Sequence, residues 1–176
     1  MIILNASLPR AGSTLLSNIL GNNPDIYASP TSSLADVVYE AHSTWTSANL
    51  TMTEGISASG GYYTEKRQDA MKGFLRNGIE GYYNEITDKN IIVDKNRNWM
   101  SDPFFIKEIL PESKIICLVR HPFDIFGSME KIWRSTPMIS KSAHKVGHTV
   151  GERVHTWLTT KPIIPCIEYI YNVIQT

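Results

Sequence analysis

Three short apolar runs punctuate this chain, and most of its other apolar positions recur at helical spacing. The runs are Ile2-Ile3-Leu4, Ile91-Ile92-Val93 and Ile115 to Val119. Continuous apolar runs of this length read as buried strands of a parallel sheet. Helix-period segments lie between them. Residues 13–21 carry Leu15, Leu16, Ile19 and Leu20, and residues 33–48 place Leu34, Val37, Val38, Ala41 and Trp45 on one face. A long helix is expected over 64–86, weakened by Gly73, Gly78 and Gly81. Residues 101–110 open with Ser101 or Asp102 as cap and Pro103 in the first turn, and residues 122–134 start on Pro122. Asn22-Asn23-Pro24-Asp25 reads as a stop and turn, and the Gly/Ser/Thr-rich stretch Thr51 to Tyr63 as a loop. After the polar stretch beyond Pro137, helices are expected near 149–159 and 163–175. Alternating strands and helices predict one three-layer α/β/α domain over 1–176 with a mostly parallel sheet.

The first strand runs into a loop with unusual chemistry. Leu8-Pro9-Arg10-Ala11-Gly12-Ser13-Thr14 joins it to the helix that begins at Ser13. A helix N-terminus offers free N–H groups and a partial positive charge, which suits a phosphate-like anion. Gly12 lets backbone approach a ligand closely, Ser13 and Thr14 can cap the helix and donate hydroxyl bonds, and Arg10 adds a permanent cation. The spacing does not match G-x-x-x-x-G-K-[ST], because Gly12 directly precedes Ser13 and the cation lies two residues earlier. The plainer alternative is a strand–turn–helix junction with an exposed arginine.

A second segment strengthens the anion reading. Arg120 ends the third apolar run, and Ser128 lies eight residues on, about two turns into the next helix. Ligands of doubly wound sheets bind at the carboxyl ends of strands, where this arginine and serine can grip one phosphate together. The competing arrangement pairs Arg120 with Asp124 and bonds Ser128 to its own backbone.

Taken together, the two segments resemble those of the sulfotransferases that use 3'-phosphoadenosine 5'-phosphosulfate (PAPS). Leu8 to Leu16 is similar to the arginine-bearing form of that family's 5'-phosphosulfate loop, and Arg120 with Ser128 to its 3'-phosphate pair. The resemblance implies a P-loop NTPase-like fold and sulfuryl transfer from PAPS, with adenosine 3',5'-bisphosphate as product and no metal. It implies nucleotide contacts from Arg10, Ala11, Gly12, Ser13, Thr14, Leu15, Arg120 and Ser128, and catalytic roles for Arg10 and Lys95, which follows the second strand. The acceptor is then a small molecule, glycan or peptide bearing a hydroxyl or amine, received by the variable segments 27–63 and 134–150. Family members take the acceptor's proton with a histidine just after the second strand or a glutamate soon after the first helix. Here those places hold Arg97 and Ser29-Pro30-Thr31, which leaves Asp94, Glu40, His42 and Glu54 as candidates. The family's C-terminal Gly-x-x-Gly-x-x-Lys has no counterpart. Three strands and that missing segment suggest a truncated form, or a compact one that completes its site as a homo-oligomer.

Composition narrows the partners. The 176 residues contain 17 Lys+Arg against 17 Asp+Glu, so there is no overall electrostatic footprint for nucleic acid. Two cysteines, Cys117 and Cys166, make no disulfide framework and read as reduced core residues. With no run of ~18–20 apolar residues and no room for a signal peptide before the first strand, the expectation is a cytoplasmic protein that does not span a membrane. Two other functions remain open from the residues alone. One is a P-loop kinase or NTPase, disfavoured by the missing lysine–hydroxyl pair and the lack of a clear aspartate for Mg²⁺. The other is a non-catalytic nucleotide-binding module.

Overall fold

The structure is a computed structural model that describes residues 1–55, 65–135 and 149–159. Four parallel strands form one sheet in the order β2-β3-β1-β4: β1 Ile2–Asn5, β2 Ile26–Thr31, β3 Ile91–Lys95 and β4 Lys114–Ile116. Helix α1 (Ser13–Gly21) links β1 to β2, and α2 (Leu34–Gly55) and α3 (Glu65–Ile86) separate β2 from β3. A 3₁₀ turn (Arg97–Met100) and α4 (Pro103–Ile109) lead to β4, followed by α5 (Pro122–Ser135) and α6 (Val150–Thr159). The expected α/β class with a parallel sheet is therefore present. No helix among the described residues is long and apolar enough to cross a membrane.

Side-chain alternation sorts the layers. Asn5 and Lys95 reach α1, and a Cβ at Gly21 of α1 would touch the Ala28 methyl of β2. The opposite face carries Leu4 and Ile92, which pack with Leu75, Ile79 and Tyr83 of α3 and with Trp99, Met100, Phe105, Ile106 and Ile109. The i, i+4, i+8 spacing of Leu75, Ile79 and Tyr83 gives α3 a continuous buried stripe. Tertiary burial of that stripe outweighs the glycine penalty, so the helix runs unbroken through Gly73, Gly78 and Gly81.

Three expectations are corrected. The sheet has a fourth strand, β2, where a turn and acceptor segment were read. Its sequence Ile-Tyr-Ala-Ser-Pro-Thr is only half apolar, and Pro30 is tolerated because β2 is an edge strand whose register shifts between Ala28 and Thr31. The third apolar run leaves the ladder after Ile116, and residues 115–118 are only half-buried because β4 is an edge among the described strands. Helix α2 continues to Gly55, into the stretch read as loop, and buries Ala35 and Val38 while Val37 faces solvent. The expected helix at 163–175 and Cys166 lie outside the described residues.

Because β1 sits between β3 and β4, the chain leaves β1 toward β2 on one side while β4 lies on the other. The carboxyl ends of β1 and β4 thus flank a topological switch point, where α/β sheets place ligands.

Candidate active site

The loop after β1 is curled by two left-handed residues, Arg10 at φ 65° and Gly12 at φ 111°. Ala11 N–H donates to the Leu8 carbonyl at 3.1 Å, closing the turn. Left-handed backbone is easy for glycine but costs about 1–2 kcal/mol at a residue with a Cβ. The loop therefore holds Arg10 in a strained conformation, a condition that persists only where the surroundings impose it. Glycine at position 12 is required by φ rather than by space, since a Cβ there would meet nothing nearer than Leu118 Cδ1 at 3.8 Å.

Gly12 is also the N-cap of α1, and it supplies no side-chain hydrogen bond to the helix start. This corrects the expectation that Ser13 and Thr14 cap the helix: both lie inside its first turn. The first-turn amides are left with no capping side chain, which is the condition for an anion cradle.

A buried polar network fixes the loop in place. Asn5, fully buried at the end of β1, donates to the Ser13 carbonyl at 3.2 Å and to Ser17 Oγ at 3.4 Å. Its Oδ1 accepts from Ser7 Oγ at 2.9 Å, and Ser7 Oγ accepts from Leu118 N–H at 2.8 Å. One strand end thereby pins the start of α1 and the segment leaving β4. The sequence reading missed these two residues, although a polar Asn ending an apolar strand was a usable signal, since buried polar side chains need partners.

Three cationic side chains surround this loop. Lys95 lies opposite Asn5 in the β1–β3 register, and its Nζ donates to Thr14 Oγ1 at 3.0 Å. Partial burial pushes its pKa below the ordinary lysine value. Arg10 Nε donates to Ser128 Oγ of α5 at 3.0 Å. Arg120 donates to the Arg10 carbonyl at 3.1 Å and stands 3.7 Å from Asp124. The two segments read as separate phosphate sites are thus joined through Arg10. Arg120 also makes the Asp124 pair of the plainer reading, but between exposed side chains such a pair is worth little. Ser128 bonds Arg10 across the site. Ala11 forms the turn, and Leu15 points outward, 65% exposed.

The candidate bases are scattered. Asp94 is fully buried on the sheet face opposite α1, and Ser32 Oγ donates to its Oδ1 at 2.6 Å. Burial raises its pKa, opposed by the Ser32 hydrogen bond. His42 stacks on Phe105 at 4.0 Å between ring centres, Glu40 is exposed, and the Glu54 side chain lies outside the described residues. Asn96, also buried, donates to the Ser32 carbonyl at 2.7 Å and to Asp36 at 3.3 Å, tying the start of α2 to the end of β3.

Helix α5, which carries Ser128, is braced by α6. Arg153, 3% exposed, bonds Glu130 through Nε at 2.8 Å and Nη2 at 2.7 Å and stacks on Trp133 at 3.9 Å. Arg153 and Arg134 hold the Glu130 carboxyl down at about 2.

Among solved structures, the chain is similar to the sulfotransferase domain of the olefin synthase of Synechococcus PCC 7002. The identity is 21% and the TM-score 0.44, with 77% of this chain and 53% of that chain covered. The chain spans about half the length of that structure. No curated protein matches it. The family model described as "Sulfotransferase family" matches residues 3–161, which include the 9–14 loop, Lys95, Arg120 and Ser128. The chain belongs to the sulfotransferase family.

Proposed function

We propose that the protein transfers a sulfuryl group from PAPS to a hydroxyl or amine acceptor by in-line displacement. The 5'-phosphosulfate lies against the first-turn amides of α1 with Arg10, Ser13 and Thr14 around it, and Ala11 and Leu15 flank it through their backbone. The 3'-phosphate lies between Arg120 and Ser128. In the reaction the acceptor oxygen or nitrogen bonds to sulfur, the bond from sulfur to the bridging oxygen breaks, and charge grows on the departing 5'-phosphate. Positioning and fixed positive charge dominate such a displacement. Lys95 and Arg10 supply that charge from opposite sides of the loop, where it counts most as the leaving oxygen becomes anionic.

The observation that carries this reading is the Lys95 contact to Thr14 Oγ1 at 3.0 Å. It sets a half-buried ammonium at the start of a helix whose amides have no capping side chain. A cation held there without an anionic partner among the described residues is arranged for an anionic ligand.

Titration calorimetry with adenosine 3',5'-bisphosphate and with ATP–Mg²⁺, followed by turnover with sulfuryl-labelled PAPS, tests the assignment. Preferential bisphosphate binding with label transfer is expected. Tighter binding of ATP–Mg²⁺ would favour the kinase reading, and bisphosphate binding without label transfer the non-catalytic one.

A further inference from the structure

Helix α5 has two working faces. Asp124 and Ser128 lie one turn apart toward the donor loop, where Asp124 stands 3.7 Å from Arg120 and Ser128 Oγ accepts from Arg10 Nε at 3.0 Å. Glu130 and Trp133 lie three residues apart on another face, and Arg153 of α6 holds both. Ser128 and Glu130 are two residues apart, about 200° around the helix and about 3 Å along it. The grip and the serine therefore sit at nearly the same height on opposite sides of α5.

Among the described residues, little else fixes the rotation of α5. Ile125 is its one buried residue, and the Arg120–Asp124 pair joins exposed side chains. The Arg153 contact is of a different kind. Its guanidinium is 3% exposed, Nε and Nη2 each take one oxygen of the Glu130 carboxylate at 2.8 and 2.7 Å, and its carbon lies 3.9 Å from the Trp133 ring centre. A planar fork on a carboxylate fixes orientation as well as distance.

Local sequence holds Arg153 in its turn. Thr149 and Glu152 form a reciprocal cap at the start of α6: Thr149 N–H donates to Glu152 Oε2 at 3.1 Å, and Glu152 N–H to Thr149 Oγ1 at 3.2 Å. Arg153 N–H donates to the Thr149 carbonyl at 3.1 Å, closing the first turn. The clamp thus has an ordered base.

Rotation matters because the serine contact is short-ranged. A hydroxyl oxygen on α5 lies about 3–4 Å from the helix axis, so a turn of about 20° moves it by about 1 Å. That carries a 3.0 Å hydrogen bond out of range.

We infer that Arg153 is a positioning residue for the donor's 3'-phosphate: by holding Glu130 and Trp133 it sets the rotation of α5 that brings Ser128 to the phosphate. This rests on the sulfuryl-transfer reading, in which the 3'-phosphate lies between Arg120 and Ser128. Arg153 acts through Ser128, so its loss removes only the part of donor affinity that depends on the 3'-phosphate. That part is felt in ground state and transition state alike, and it appears in KM rather than kcat.

Calorimetry with adenosine 3',5'-bisphosphate and adenosine 5'-phosphate, together with turnover on PAPS, tests the inference. Arg153→Met keeps an apolar stem over Trp133 and removes the fork. It should weaken bisphosphate binding about tenfold, leave 5'-phosphate binding within about twofold, and raise the KM for PAPS far more than it changes kcat. Arg153→Lys should not restore binding, because an ammonium cannot hold both carboxylate oxygens and stack at once. On a Ser128→Ala background Arg153→Met should cause no further loss, since its effect passes through the missing hydroxyl. Should melting show Arg153→Met unfolded, Glu130→Gln keeps the side chain's shape, removes its charge and carries the same comparison, with a loss of about threefold confined to the bisphosphate. Equal losses for both nucleotides, unchanged bisphosphate affinity in a folded variant, or additive losses in the double variant overturn the inference alone. A parent protein that binds the bisphosphate no better than the 5'-phosphate overturns the 3'-phosphate assignment beneath it.

Discussion

Replacing Lys95 by methionine isolates the charge that the proposed chemistry needs. Methionine keeps the apolar stem against α1 and removes only the ammonium that donates to Thr14 Oγ1 at 3.0 Å. Three quantities should separate. Folding loses one hydrogen bond at a half-buried site, about 1 kcal/mol, and regains part of it because burial already disfavours the ammonium. Bisphosphate affinity falls by no more than about tenfold, since Arg10 and the helix amides still hold the ground-state anion. The kcat falls far more, by about a hundred- to a thousandfold, the usual cost of removing a donor aimed at developing charge. Melting, calorimetry and turnover at saturating PAPS read the three separately. Acidity adds a signature. Lys95 must be protonated to act, and its pKa lies below the ordinary lysine value. The alkaline limb of kcat/KM should therefore fall at lower pH than a solvated lysine allows, and it should be missing in Lys95→Met. A kcat within about threefold of the parent would refute the role.

The remaining predictions concern the frame of the site. Arg120→Ala should weaken binding of adenosine 3',5'-bisphosphate at least about tenfold, while adenosine 5'-phosphate binding barely changes; equal losses would remove the 3'-phosphate assignment. Gly12→Ala forces a Cβ onto a backbone at φ 111° and should cost about 1–2 kcal/mol in chemical denaturation together with bisphosphate affinity; a variant as stable as the parent would show that the loop relaxes freely. Glu130 has a folded pKa of about 2, below its unfolded value, so its ion pair stabilises the fold above the unfolded pKa and is lost as pH falls from about 4.5 toward 2. Glu130→Gln should flatten that part of the melting-temperature profile, and an unchanged acid limb would mean that the Arg153 clasp does not contribute.

What was legible in the sequence is what is local. Gly12 before Ser13 between an apolar run and a helical pattern is a contiguous pattern, and so is Arg120 eight residues before Ser128. Lys95 was reachable because a strand end fixes which edge of the sheet it occupies. The edge strand β2 escaped because Pro30 argues against a strand unless its edge position is already known. The early end of β4 escaped for a related reason: apolar residues 117–119 continue the hydrophobic run, yet the ladder gives way to a side-chain bond from Leu118 N–H to Ser7. The Asn5 side chain bonds only nearby residues, but Ser7, Ser32, Asn96 and Asp36, which also hold the site together, pair across long sequence separations. Periodicity carries no sign of such pairs. The bridging role of Arg10 was invisible likewise, because it joins two motifs 118 residues apart.

A crystal structure with adenosine 3',5'-bisphosphate bound tests the central claim most directly. The account predicts the 5'-phosphate on the amides of residues 12–14, with Lys95 Nζ and Arg10 about 3 Å from its oxygens, and the 3'-phosphate between Arg120 and Ser128. A nucleotide bound away from the 9–14 loop, or turned so that its 3'-phosphate occupies the helix N-terminus, would contradict it.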